Sequence, residues 1–467
     1  VRHAVLLVLC SLAFLTYFDR ICIMRVQEDI ERDLGFHQLT EEDEEALRRE
    51  GKQEDAEARA KVAEARARDR FSWVFSAFLL GYALFEIPGG WLGDVWGPRL
   101  VIFRIVVWWS LFTALTGSVQ TIAGIFTTAA SPVALLGTLI VIRFLFGVGE
   151  AGAYPNIARA VGRWFPFRER ATAQGAIWMS SRIGGAISPA VMGQLIALPW
   201  PLGGWQGAFL TLGLAGVLWA GAFFLWFRDR PEEMPAANPA ECELIRSGSA
   251  GPGSIYDDSH APGVPWKTVL CSPNLLAVYG AAFCVSFSWY FYVTFFPKYL
   301  KGTFGRSLQE SEWLSGLPLL AGGLACLTGG RLSDLLIHWT GSKRWGRSLL
   351  GIAGFGLAGG CALLLSQPFL TYGQAVALSC LAVALQDLAV PCIWSLPTDV
   401  GGRYAGTVAG CMNTVGAIGG AVASPLTSWV AGKDARWDLV FLMFAVSYVI
   451  GALMWVRIDA GESIFGG

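Results

Sequence analysis

Apolar runs of about 20 residues recur from one end of the chain to the other, separated by polar stretches. A helix rises 1.5 Å per residue and needs about 20 residues to cross ~30 Å of hydrocarbon, so each run predicts one membrane-spanning helix. The runs cover 4–24, 71–93, 100–119, 134–158, 172–197 and 206–227, then 274–297, 312–335, 348–366, 371–396, 404–430 and 437–457. The expected fold class is an all-α membrane protein of twelve transmembrane helices. Alternate connections carry Arg99 and Arg104; Arg159, Arg163, Arg168 and Arg170; Arg228 and Arg230; Arg331, Lys343, Arg344 and Arg347; Arg403; and Arg457. The opposite connections at 120–133, 198–205 and 367–370 hold no Lys or Arg. Positive charge is retained on the cytoplasmic side, so both termini are expected there, which an even number of spans satisfies.

Two polar segments break the pattern. Residues 228–273, rich in Pro, Gly, Ser and acid, read as a flexible cytoplasmic linker between a six-helix N-terminal lobe (1–227) and a six-helix C-terminal lobe (274–467). The external loop at 28–70 includes a charged, Ala-rich stretch, 40–70, with pairs at helical spacing such as Glu57–Lys61. It is expected to be a solvated helix or a disordered loop, with collection of substrate as a further reading. The two halves also echo each other. Gly90-Trp-Leu-Gly-Asp94 closes the second span of one half and Gly330-Arg-Leu-Ser-Asp334 that of the other. Likewise Trp164-Phe-Pro through Arg170 to Gly175 has its counterpart in Leu396-Pro-Thr through Arg403 to Gly410. Paired signals at matching positions imply a duplicated unit, the plan of two-lobed secondary transporters.

Composition agrees. The 467 residues are 54% hydrophobic and 15% charged, with 56 Gly and 20 Trp; a soluble domain carries about 25% charged residues. Eight of the ten cysteines (Cys10, Cys22, Cys284, Cys326, Cys361, Cys380, Cys392, Cys411) lie in apolar runs, two (Cys242, Cys271) in a polar loop, and none forms a C-x-x-C pair. They read as small buried hydrophobes, not as disulfides or a metal site. The run Ala4–Phe18 lacks a small-residue cleavage site and leads into Asp19-Arg20, so it is expected to be a retained span, with a short tail preceding Val1. Gly-Lys pairs at Lys52 and Lys433 are followed by Gln and Asp, not by Ser or Thr, so no nucleotide-binding loop is encoded. His3, His37, His260 and His338 lie in loops or at span ends. No cofactor is expected, an enzyme is disfavoured, and any energy coupling falls to an ion gradient acting on carboxylates.

Charges within a bilayer cost ~2.5–3.5 kcal/mol each on insertion scales and mark transport paths. Asp19 and Arg20 are adjacent, so they project about 100° apart and do not simply cancel; they face a cavity and a neighbouring helix, or else snorkel at the interface. Arg143 and Glu150, seven residues apart, share one helix face, with small residues between them and Pro155 able to kink the helix below. A cation for an anionic ligand beside an acid able to take a proton is the equipment of proton-coupled anion uptake; the bland counterpart is a structural ion pair. Glu86, one turn after Tyr82, reads equally as a second titrating group or as a structural acid. Arg182 and Asp387 fall mid-span in helices five and ten; they pair across the lobes, or Arg182 adds a second anion-binding cation. Tyr290 and Trp394 offer aromatic faces to a polyhydroxylated ligand, and Asn413 a hydroxyl partner or a packing contact.

Taken together, Gly90-x-Leu-x-Asp94-x-x-Gly97-x-Arg99 resembles the signature between helices two and three of the major facilitator superfamily. Tyr17-Phe-Asp-Arg20, Phe85-Glu-Ile-Pro-Gly-Gly-Trp91, Arg143 through Pro155, and Trp164-Phe-Pro…Glu169-Arg170-Ala resemble its anion:cation symporter branch, which includes bacterial galactonate, glucarate and hexuronate carriers, sialin and the vesicular glutamate carriers. The resemblance implies alternating access. It implies protonation and coupling at Asp19 and Glu150, an organic-anion path at Arg20, Tyr82 and Arg143, gating charges at Asp94 and Arg99, and substrate contacts at Tyr290, Trp394 and Asn413. Asp334 is the second-half echo of Asp94. Glu86, Arg182 and Asp387 depart from the galactonate-type pattern, which is uncharged there with Gln at the first two, and the 40–70 loop is longer than usual. These departures bear on the ligand's charge and the number of protons moved. The expectation is an inner-membrane, monomeric proton symporter for a small organic anion such as a sugar acid, with the bilayer, the anion and protons as partners and no nucleic acid. Sodium coupling, exchange, drug export or a transporter-like receptor are the alternatives.

Overall fold

The computed structural model describes residues 1–126, 131–199, 201, 203–247, 255, 263–305, 308–432 and 435–465. Its helices in chain order are α1 (Arg2–Arg25), α2 (Gln27–Asp33), α3 (Glu41–Arg49), α4 (Ala56–Trp96), α5 (Pro98–Gly117), α6 (Val119–Phe126), α7 (Pro132–Glu150), α8 (Ala153–Trp164), α9 (Arg170–Ile196) and α10 (Gly204–Trp226). The second half continues with α11 (Pro239–Ser247), α12 (Trp266–Cys271), α13 (Pro273–Thr294), α14 (Phe296–Phe304), α15 (Leu308–Thr340), α16 (Lys343–Leu365), α17 (Tyr372–Asp387), α18 (Val390–Val400), α19 (Ala405–Ala431) and α20 (Trp437–Arg457). Among the described residues, eleven helical segments are long and apolar enough to cross a membrane. The run expected at 172–197 is α9, one 27-residue helix packed against α1 and α15. Two arginines, two glutamines and three serines keep it below that hydropathy level, and Arg170, Gln174, Ser181 and Ser188 are buried against other helices instead of facing lipid.

Within each half the helices pack as neighbours, α1 with α9 and α4 with α7, then α13 with α19 and α16 with α20. The halves meet along two seams, α4 against α19 and α9 against α15. Without a hydrophobic force between helices in lipid, close van der Waals approach holds such seams, and small residues permit it. Gly147 of α7 lies directly on the Phe78 carbonyl of α4, where any side chain would collide.

Two spans are broken at corresponding places. The fourth divides between α7 and α8: Ala151 takes an extended conformation and Gly152 a left-handed one, φ +84°. That φ, together with the contact of Gly152 against the Gly89 backbone, requires glycine. Asn156 then donates to the Gly152 and Gly89 carbonyls at 2.8 and 3.0 Å, satisfying groups the break exposes. The kink expected at Pro155 lies here instead, because Pro155 sits in the first turn of α8, where its missing N–H costs nothing. The tenth span divides between α17 and α18, with Pro391 in the first turn of α18.

The charged loop is ordered where described. Thr40 and Asp43 form a capping box on α3. Arg66 of the extended α4 binds the Asp43 carboxylate at 2.5 and 3.0 Å, and Arg59 binds Glu44 at 2.6 Å. The second span therefore starts far earlier than its apolar run, as a helix whose first turns are solvated; Glu57–Lys61 pairs at 2.6 Å as expected. In the stretch expected to be a flexible linker, a 3-10 turn at Pro231–Glu233, α11 and α12 are helical; residues 248–254 and 256–262 lie outside the described residues.

Candidate functional site

The breaks in the fourth and tenth spans each place an acid as the last helical residue: Glu150 ends α7 and Asp387 ends α17, both fully buried. The C-terminus of a helix is the negative end of its dipole, so a carboxylate there requires a cation. Each has one, from a different helix. Arg20 of α1 grips Glu150, its Nε 3.1 Å from Oε1 and one terminal nitrogen closer still. Arg182 of α9 donates to Asp387 at 3.0 Å, and this second pair joins the two halves.

The Arg20–Glu150 pair is set in aromatic and charged surroundings. The Arg20 guanidinium lies 4.6 Å from the Tyr82 ring centroid and 5.3 Å from those of Tyr17 and Phe78. Arg143 stacks on Phe146 at 4.3 Å and shares Phe78 at 5.4 Å, so both guanidinia border one ring. Desolvated cation–π contacts are worth about 2 kcal/mol, less than a charge-assisted pair in this setting would add. Arg143 is 1% exposed, has no ion pair among the described residues, and has a terminal nitrogen with no hydrogen-bond acceptor. The shared helix face with Glu150 is real, but Glu150 is engaged by Arg20. Asp19 is buried within electrostatic range of Glu150 and Arg143. Glu86 is fully buried; neither of its oxygens makes a well-formed hydrogen bond among the described residues, but Tyr82, Asn413 and Gly152 lie close enough to act on the carboxyl. Asn413 of α19 donates to the Tyr82 hydroxyl at 2.9 Å across the halves, which leaves the Tyr82 O–H free to turn to Glu86.

Trp394, expected from the sequence as a ligand contact, stands in an aromatic wall with residues the sequence reading did not single out as contacts. Tyr154, Trp178 and Trp394 stand 4.8–5.5 Å apart, with Tyr17 6.2–6.3 Å from the first two and the Tyr154 hydroxyl 2.7 Å from Ser181. Trp289 of α13 lies under Arg182, 3.4 Å from ring centroid to guanidinium. Trp178 was discoverable, since it precedes Arg182 by four residues and shares its helix face; Trp289 had no such marker. Tyr290 is half-buried, its ring against Gly420 of α19.

At the Arg-rich side the halves are fastened twice. Asp94, at the end of α4, accepts from the N–H groups of Gly406 and Thr407 and from the Thr407 hydroxyl, at 2.7–2.8 Å, capping the N-terminus of α19. Asp334 of α15 accepts from the Thr172 N–H and hydroxyl at 2.8 and 2.7 Å, capping α9. A carboxylate at a helix N-terminus is favoured by the dipole and by otherwise unpaired N–H groups. Arg159 binds Asp94 at 2.5 Å. Arg347 binds Asp334 at 2.7 Å and Asp399 at 3.2 Å, and Arg170 holds the other Asp399 oxygen at 3.0 Å. Arg99 does not reach this contact. It donates to the Phe224 carbonyl at 2.6 and 3.0 Å and its N–H to Asp229, all within the N-terminal half. Among the described residues no cluster of His, Cys, Asp and Glu could hold a metal.

Two halves of apolar helices, broken spans at matching positions and ionisable groups enclosed mid-span define a multi-pass membrane transporter. The chain belongs to the major facilitator superfamily, whose profile matches residues 9–424. It is 29% identical over 456 residues to a probable sulfoacetate transporter of Cupriavidus necator, covering 97% of this chain and 92% of that protein. It is 31% identical over 402 residues to a probable galactarate/D-glucarate transporter of Bacillus subtilis, covering 84% and 81%. Its fold is that of the proton:xylose symporter structure (TM-score 0.70, 14% identity, covering 100% and 98%) and of the Escherichia coli fucose:proton symporter (TM-score 0.64, 14% identity, covering 98% and 99%).

Proposed function

We propose that this protein is a twelve-span, monomeric symporter of the inner membrane that carries a small organic anion, a sugar acid in our reading, inward with protons by alternating access. The Arg-rich side is the cytoplasmic one and holds both termini; 1–227 and 274–467 are the moving lobes, 228–273 the linker between them, and α9 the fifth span. The observation that carries this reading is Arg143, buried with an unpaired donor next to the Arg20–Glu150 pair. A substrate carboxylate satisfies Arg143 and competes with Glu150 for Arg20. Glu150, released from its cation at a helix C-terminus, takes a proton; an ionised carboxylate left unpaired in the membrane interior would oppose closure over the substrate. Asp19 and Glu86 are the further acids within reach, and Tyr82, Tyr290, Trp394 and Asn413 line the path for the ligand's hydroxyls. The substrates for which those relatives are named, sulfoacetate, galactarate and glucarate, support an organic acid.

Alternation follows from the fastenings between the lobes. Asp94 and Asp334 hold the cytoplasmic ends closed, and substrate with protons favours their release. In proteoliposomes, an inward proton gradient at fixed sodium should drive accumulation of labelled D-glucarate or D-gluconate, and a protonophore should abolish it. Uptake that follows a sodium gradient with pH clamped on both sides would contradict the coupling.

A further inference from the structure

Arg20–Glu150 has a counterpart in Arg182–Asp387. Each unites an acid at the break of a span with an arginine from a neighbouring helix, and the chain between them is continuous and aromatic. Tyr17 touches Arg20 on one side and stands 6.3 Å from Trp178 on the other, while Trp178 lies 5.9 Å from the Arg182 guanidinium. We propose that Arg182 is a second anion-binding pole, so that the substrates are dianions, one acid group on Arg143 and Arg20 and the other on Arg182. This rests on the organic-anion reading above and narrows it to a charge class.

The built state of Arg182 supports a ligand role over a simple lock between halves. Its side chain is nine-tenths buried, yet among the described residues only one terminal nitrogen is engaged by hydrogen bonding and its buried Nε has no acceptor. A guanidinium evolved as a strut makes the two-pronged contact that its planar fork allows; this one leaves donors open. Asp387 in turn is stabilised from its own side, accepting from Gln386 at 3.3 Å with the Cys326 thiol 3.9 Å away. Asp387 is thus equipped to give up Arg182 without losing every partner. Gly322 and Gly323 of α15 face Asp387 and the Arg182 stem, where side chains would crowd both. Trp289 holds the guanidinium plane in position when Asp387 is displaced. A monoanion leaves this pole as it is; a dianion takes Asp387's place on Arg182.

The test compares acids with and without the second acid group: D-glucarate against D-gluconate, and sulfoacetate against acetate. Binding to the purified full chain is measured by thermal shift and calorimetry, for wild type and for the charge-balanced double variant R182Q/D387N. Wild type should bind the dianion of at least one pair ten-fold or more tighter than its monoanion. In R182Q/D387N that preference should collapse to less than about three-fold, with monoanion binding retained as the sign of an intact fold. A dianion preference that persists in the double variant, or equal binding of both members of each pair by wild type, overturns the proposal. Loss of all binding in the variant is resolved by R182K, which keeps the charge and should keep part of the preference; an R182K with none of it also overturns the proposal. If neither sugar acid binds while sulfoacetate outcompetes acetate through Arg182, the sugar-acid reading fails and the second pole stands.

Discussion

Arg143 and Arg182 illustrate what a buried guanidinium does when its hydrogen-bonding capacity is incompletely used. Removing one partner of a buried pair costs about 3–5 kcal/mol because the other charge is stranded. Arg143 makes no hydrogen-bonded ion pair among the described residues, and Glu150 keeps Arg20 when it is replaced, so the penalty is smaller than for breaking a direct pair. Arg143→Gln should therefore fold with a melting temperature close to wild type and lose ligand binding by at least ten-fold, about 1.4 kcal/mol. Calorimetry with the purified variant checks this; unchanged affinity would remove Arg143 from the anion site. Glu86 is the inverse case, an acid with no ion pair among the described residues, enclosed by Tyr82 and Asn413 at the seam between halves.

At the scale of elements, the hairpin of α3 and the extended α4 has the clearest pH signature. Hydrogen bonds from Arg66 hold the Asp43 carboxyl at about 2, below its usual 3.8. Because the folded form holds its proton less tightly than the unfolded one, this contact stabilises fully above about pH 4 and is lost as pH falls through about 2. Hydrogen–deuterium exchange protection factors in the 40–66 region, each corrected for the intrinsic rate at its pH, should fall for Asp43→Asn at pH 7 toward those wild type reaches only near pH 2; identical protection in both at neutral pH would show that the pair does not order the hairpin. The spans were legible in the sequence because ~20-residue apolar runs have one physical use. What escaped was the start of α4, since a charged Ala-rich stretch has helix propensity with or without a partner, and the break at Gly152, since φ is not written in composition. The candidate charges were legible as individual costs in lipid, but their pairing was not. Residues 20 and 150 meet only through packing, and Trp289 looked like any other membrane tryptophan.

For the whole molecule, the paired fastenings at the Arg-rich side carry the conformational argument. Asp94 caps α19 and Asp334 caps α9, so each half closes on a helix N-terminus of the other. The sequence echo between Gly90–Asp94 and Gly330–Asp334 foretold the symmetry, and the threonine donors, Thr407 and Thr172, completed it. Replacing both acids by Asn removes charge at both dipole ends, and the double variant should widen spin-label distances between the Arg-rich ends of α9 and α15 in the resting state. Unchanged distances would mean that other contacts keep the ends shut.

The coupling claim depends on Glu150 being both the counter-ion of Arg20 and the acid that protonates when substrate arrives. Glu150→Gln retains the shape and one hydrogen-bond acceptor but cannot carry a proton in. In proteoliposomes with an imposed inward proton gradient, wild type should concentrate labelled organic acid above the external level. Glu150→Gln should exchange internal for external substrate yet never exceed equilibration; gradient-driven accumulation by this variant at the wild-type level would contradict the account.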